Sequence, residues 1–178
     1  MLGGTASFPS GVSYSFWALA GMRPLTGFYN ARLPITQAGD APRIPDPSGT
    51  LDARLEAPFG IALVQALPSR PDDPWVGKTD LADAGDLDAV LKALNPQLAQ
   101  RLASAQVEAV GGTTYYTYEL NNTQTKFANR RLIKLAIAGG ELIGIDARCN
   151  EAQWGEAESK LKPLVGSFRL GAEAAPAP

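Results

Sequence analysis

The chain contains no histidine and a single cysteine, Cys149. Without imidazole there is no Ser-His or Cys-His nucleophile pair, and most transition-metal sites lose their commonest ligand. One cysteine closes no disulfide within the chain. Charge is sparse. The 16 Lys and Arg against 18 Asp and Glu leave a formal net charge of −2, the wrong sign for holding a nucleic-acid backbone. No run of about 18 uncharged apolar residues occurs, so no segment reads as a membrane-spanning helix. G-x-S-x-G, P-loop and dinucleotide fingerprints are missing. The glycine pairs at 111–112 and 139–140 lie between strand patterns and lack the following helix N-terminus that a phosphate cradle needs. An enzyme would have to be built from Asp, Glu, Lys or Tyr alone. The expectation is a non-catalytic protein with no cofactor.

What is present is one well-patterned stretch, Thr113 to Leu170, in a chain whose 178 residues and 45% hydrophobic content fit one domain plus an extension. In Arg130–Ile137 the alternate residues Ile133, Leu135 and Ile137 share one side, with Arg130 and Lys134 on the other. Gly139-Gly140 reads as a tight turn. After it, Ile143, Ile145, Ala147 and Cys149 share a face, with Asp146 and Arg148 opposite. This predicts a one-sided antiparallel sheet and a buried, inert Cys149. Its cover is expected next in sequence. Asn150 is placed to N-cap a helix, with Gln153 as a capping-box partner. Trp154, Ala157, Leu161, Leu164, Val165 and Phe168 follow at helical spacing, with Glu156–Lys160 and Glu158–Lys162 as i,i+4 pairs on the solvent side. Pro163 is expected to kink or end this helix.

Upstream the signals weaken. Residues 68–86 form a Pro/Asp-rich connector. Asp86 is placed to cap a helix through Leu87, Val90, Leu91 and Leu94, and Asn95-Pro96 restarts a second one with proline at its first position. Leu98, Leu102 and Ala105 continue its apolar stripe. Residues 1–50 hold 7 Gly and 6 Pro against five charged residues, yet carry Phe8, Tyr14, Phe16, Trp17, Phe28 and Tyr29. Such a segment builds no core of its own. Two readings stand: it wraps its own domain, with Gly27 to Ile35 supplying a first strand, or it is an extended arm whose aromatic residues anchor in a larger partner. Val12 to Ala20 ends in the cleavage-like Ala18-Leu19-Ala20 but lacks a preceding twin-arginine or basic region; any longer transit sequence is expected to lie outside these 178 residues. Residues 171–178 are an Ala/Pro tail.

An ordered set of short motifs resembles the PsbP-domain family. It comprises Tyr115-Tyr116, Arg130-Arg131-Leu132, Gly140-Glu141-Leu142, Arg148-Cys149-Asn150-Glu151-Ala152-Gln153-Trp154 and Ser167-Phe168. Lys78-Thr79-Asp80-Leu81 leading into Leu87-Asp88-Ala89-Val90-Leu91, and the strand Ile61–Leu67, are similar too, so the likeness spans roughly residues 50 to 170. The resemblance implies an α/β/α sandwich around an antiparallel sheet over residues 51–170, here with an extended irregular N-terminal arm over 1–50. It implies a chloroplast thylakoid-lumen address and peripheral attachment to lumenal loops of photosystem core subunits, in the manner of an extrinsic subunit of the oxygen-evolving complex of photosystem II. A photosystem I-associated subunit or a photosystem assembly factor are the alternatives. No calcium or manganese ligands of the family have matching residues.

The candidate partner-binding residues are Phe8, Phe16, Trp17, Phe28 and Tyr29 on the arm and Lys126, Arg130 and Lys134 on the basic strand. For the basic set, which also includes Arg131, a solvated strand face stands beside a salt-sensitive docking contact. The acidic residues Asp72, Asp73, Asp80, Asp83, Asp86 and Asp88 fit no calcium-loop spacing and read as caps and connector. Tyr116 and Tyr118 are expected to share a face, with Tyr115 opposite.

Overall fold

The structure, a computed structural model, describes residues 2–7, 13–18, 23–24, 50–57, 60–67, 69–122 and 129–171, with backbone only for the strands before residue 60. The elements in chain order are β1 (Leu2–Ser7), β2 (Ser13–Ala18), β3 (Arg23–Pro24), β4 (Thr50–Ala57), β5 (Gly60–Leu67), α1 (Leu87–Leu94) and α2 (Pro96–Ala99). They continue with β6 (Leu102–Val110), β7 (Thr113–Asn122), β8 (Asn129–Ala138), β9 (Glu141–Asn150), α3 (Trp154–Ser167) and β10 (Arg169–Leu170). Short 3-10 turns at Leu81–Asp83 and Glu151–Gln153 precede α1 and α3.

Seven strands form one sheet in the order β3-β4-β5-β9-β8-β7-β6, every neighbouring pair antiparallel. Two hairpins turn on glycine pairs. Gly111-Gly112 has φ of 59° and 79°, and Gly139-Gly140 has 60° and 80°. Positive φ at both central residues makes the turn whose twist matches the flanking strands.

The sheet is covered on both faces, where alternation alone predicted one. Ile133, Leu135 and Ile137 pack with Leu81, Val90, Leu91, Tyr116 and Tyr118, beneath α1. Leu132, Ala136, Ile143, Ile145, Ala147 and Cys149 pack with Leu161, Leu164, Val165 and Phe168 of the α3 layer. The helix following β9 therefore covers the face of β8 opposite its isoleucines. The result is an α/β/α sandwich, as the motif resemblance implied. Cys149 is buried, and burial pushes its thiol up to about 11.

The helix ends obey local chemistry in part. Asp86 Oδ1 accepts from the Ala89 amide at 2.8 Å, and Asn95 Oδ1 from Gln97, with Pro96 opening α2. Asn150 makes no side-chain capping bond, and α3 starts after the 3-10 turn. Pro163 does not end α3. Its cost, about 3 kcal/mol, is outweighed because Leu161, Leu164, Val165 and Phe168 are buried to 1% exposure or less, each contributing roughly 1.5–3 kcal/mol. The stripe of Leu98, Leu102 and Ala105 is also divided: α2 stops at Ala99, and Leu102 and Ala105 belong to β6.

Of residues 1–50, β1 and β2 form a hairpin, and β2 pairs with β10 in a small three-stranded sheet beside α3; β3 pairs with β4. These parts of the arm thus fold onto the domain as strands. Gly27 to Ile35 lies outside the described residues.

Candidate functional site

Lys134 is not on a solvated face. It pairs across the sheet with Thr117 and Ile145, which turns it under α3 at 1% exposure. Its Nζ donates to Glu108 Oε2 and to the Gly166 carbonyl, both at 2.8 Å, and sits 4.8 Å from the centre of the Tyr115 ring. Arg169 completes the group. It donates to Glu108 Oε1 at 2.6 Å and to the carbonyls of Gly166 and Phe168. Two cations thus meet the negative end of α3, while the Tyr115 hydroxyl accepts from the Leu170 amide at 2.9 Å. Burial pulls the Lys134 ammonium down to about 8, against the pull of Glu108. This network ties the end of α3 and β10 to β6, β7 and β8, so Lys134 is spent inside the fold.

Arg130 is partly available. Its guanidinium forks onto Glu151 at 2.8 and 3.0 Å and lies 5.5 Å from the Trp154 ring centre, with Lys162 5.7 Å from the same ring. Lys162 reaches both Glu158 and Glu119. The set clips the start of α3 to β7 and β8 and leaves the Arg130 side chain 20% exposed. Phe8, Phe28, Tyr29 and Lys126 lie outside the described residues. Phe16 and Trp17 are on β2, whose backbone alone is described.

On the opposite face, beneath α1 and α2, sequence reading missed a buried ion cluster. Arg131 forks onto Asp146 at 2.8 and 2.7 Å, and Arg148 closes on the same carboxylate. Burial alone would raise the Asp146 pKa, but the two guanidinium groups hold it well below the usual carboxylate range. The signal was present: Asp146 and Arg148 are two apart on one strand, so they share a face with Arg131, which pairs with Arg148 across the sheet. A cavity of about 80 Å³ adjoins the cluster, lined by Gln65, Asn95, Leu98, Ile133 and Arg131 among others. Two of the acidic residues ahead of α1, Asp80 and Asp86, are caps. Asp80 caps the 3-10 turn at Ala82 and also accepts from the Thr114 amide, tying the turn to β7. Tyr116 and Tyr118 share the α1 face, as expected, and donate to the carbonyls of Gly85 and Leu87 at 2.6 and 2.9 Å. Among the described residues no group of three or more Cys, Asp or Glu is placed to hold a metal ion, and no helix is long and apolar enough to cross a membrane.

The exposed apolar surface is concentrated on β6. Of the four exposed large hydrophobic side chains among the described residues, Leu102, Val107 and Val110 are on this strand, with Val107 58% exposed.

The sequence pattern of the PsbP family matches residues 74–170. A curated relative, PsbP domain-containing protein 6, chloroplastic, of Arabidopsis thaliana, is 24% identical over 96 residues, covering 51% of this chain and 37% of the relative. The chain thus spans little more than a third of that protein's length. The solution structure of cyanobacterial PsbP (CyanoP) from Synechocystis sp. PCC 6803 is similar at a TM-score of 0.57 and 18% identity, covering 95% of this chain and 92% of that one.

Proposed function

The chain belongs to the PsbP family, and on that premise we propose that it is a non-catalytic extrinsic subunit of a photosystem, of the photosystem II oxygen-evolving type, docked on the lumenal face of the thylakoid membrane. The observation that carries this reading is the family match over residues 74–170, which takes in both helical layers and four of the central strands. The fold shared with cyanobacterial PsbP and the chloroplast name of the Arabidopsis relative support it.

In this reading the contacts with photosystem core loops come from the aromatic residues of the first 50, Phe8, Phe16, Trp17, Phe28 and Tyr29, with charge from Lys126 and the exposed part of Arg130. Lys134 takes no part, because its ammonium is bound beneath α3. Exposed charge steers and registers a docked subunit more than it holds it, and its effect fades with salt.

Density-gradient fractionation of solubilised thylakoids, before and after a wash in about 1 M salt, where the screening length falls to ~3 Å, tests the reading. Co-migration with photosystem II, release by salt and a parallel loss of oxygen evolution are expected. Co-migration with photosystem I would move the function to that complex. Recovery only in the free soluble fraction would overturn the subunit reading in favour of an assembly factor.

A further inference from the structure

The two ends of the large sheet are finished differently. At one end β3 is two residues long and contains Pro24, which blunts an edge by removing a donor and leaving little to pair with. At the other end β6 runs nine residues, Leu-Ala-Ser-Ala-Gln-Val-Glu-Ala-Val, with no proline, no lysine and one charge. Among the described residues it pairs only with β7. Val110 and Thr113 flank the two-residue Gly111-Gly112 turn, so they form a hydrogen-bonded pair. Alternation then turns the N–H and C=O groups of Ala105, Val107 and Ala109 away from β7. A long exposed apolar edge of this kind is a template for another strand.

We propose that β6 is a self-pairing edge, and that a second copy of this chain joins it antiparallel about a two-fold axis through Val107, making one sheet continuous across the dimer. An axis through Glu108 would keep the same backbone bonds, Val107 now exchanging them with Ala109, but it sets the two Glu108 carboxylates face to face and leaves Val107 opposite the smaller Ala109. With the axis at Val107, that side chain meets its own copy and Ala105 meets Ala109, so the most exposed large apolar side chain on the strand is covered. On the other face Gln106 comes opposite Glu108 of the second copy, an amide donor beside a carboxylate. No two carboxylates are set in direct opposition, and each Glu108 is already neutralised by Lys134 and Arg169 of its own chain. The pairing is thus complementary to itself in shape, backbone and charge. It stands apart from the photosystem reading, and either can fail without the other.

Sedimentation equilibrium of the full chain over a wide concentration range, with three variants, tests it. The parent chain is expected to form a dimer. Val107→Lys, at an exposed position, sets two ammonium groups against each other on the axis and should weaken the dimer about tenfold or more, with an unchanged circular dichroism spectrum showing that the fold is kept. Val107→Cys should form a covalent dimer under mild oxidation, whereas Ala109→Cys should not, because its neighbour is Ala105 of the second copy; Cys149 is buried and stays out of the reaction. A chain that stays monomeric, with no cross-link through position 107, would overturn the proposal. So would a dimer indifferent to Val107→Lys. If the chain is monomeric and Val107→Lys instead removes it from the photosystem fraction, the edge belongs to that contact and self-pairing is wrong.

Discussion

A lysine held beneath the last turn of a helix puts a pH dependence into the stability of this protein. Lys134 titrates at about 8 in the fold against 10.5 for the free side chain, burial being the larger cause and Glu108 opposing it. A depressed lysine pKa means the unfolded chain binds more protons between those two values. Stability from this group is therefore lowest below pH 8 and rises as pH climbs from 8 towards 10.5, by up to about 3 kcal/mol. Above about pH 10 the buried tyrosines act the other way. Burial raises the pKa of Tyr115, Tyr116 and Tyr118, so the unfolded chain loses phenolic protons first and stability falls. The clean window is pH 8 to 10. Across it, the melting temperature of the parent chain minus that of Lys134→Met is expected to rise; a flat difference would show that Lys134 keeps its proton throughout.

At the scale of the element, sequence and structure part company where local rules meet packing. The i,i+4 pairs of α3 form as spaced, Glu156 to Lys160 and Glu158 to Lys162 at 2.6 Å each. The glycine turns and the Asp86 and Asn95-Pro96 helix starts were equally legible, because one or two residues determine each. Pro163 obeys the same local rule, but the buried residues around it keep the helix going. Pro163→Ala should restore one backbone hydrogen bond and remove a ring clash, and is expected to stabilise the protein by roughly 1–3 kcal/mol, read as a higher denaturant midpoint with an unchanged slope. No gain would mean that α3 already bends at Ser159 to accommodate the ring. β6 was misread because Leu98, Leu102 and Ala105 satisfy helical spacing by coincidence. The decisive fact, that Leu102–Val110 pairs with β7 across Gly111-Gly112, is an interaction between elements.

For the whole molecule, the N-terminal hairpin is the part whose role is most divided. β2 pairs with β10 and packs beside α3, while the proposed docking aromatic residues lie in the same first 50 residues. A chain lacking residues 1–18 is expected to melt several degrees lower and to bind a hydrophobic dye more strongly, since β10 loses its partner strand. An unchanged melting temperature together with lost photosystem binding would assign the hairpin to docking alone.

The sequence by itself determined what depends on near neighbours: turns that need positive φ, caps, ion pairs one helical turn apart, the run of strands and helix from Thr113 to Leu170, and the motif order that marks the family. The tertiary structure alone decided which layer each face of the sheet meets. β8 carries Leu132, Lys134 and Ala136 on one side and Ile133, Leu135 and Ile137 on the other. Alternation separates these sets, but it does not say that both are covered. The cover over the isoleucines comes from Leu81 to Leu91, more than 40 residues upstream. The partners that turn Lys134, Arg131 and Asp146 from surface charges into internal ties are equally remote: Glu108 is 26 residues from Lys134, and Arg131 is 15 from Asp146. Charge and periodicity are properties of a segment. Burial is a property of what packs upon it, and only the folded chain supplies that.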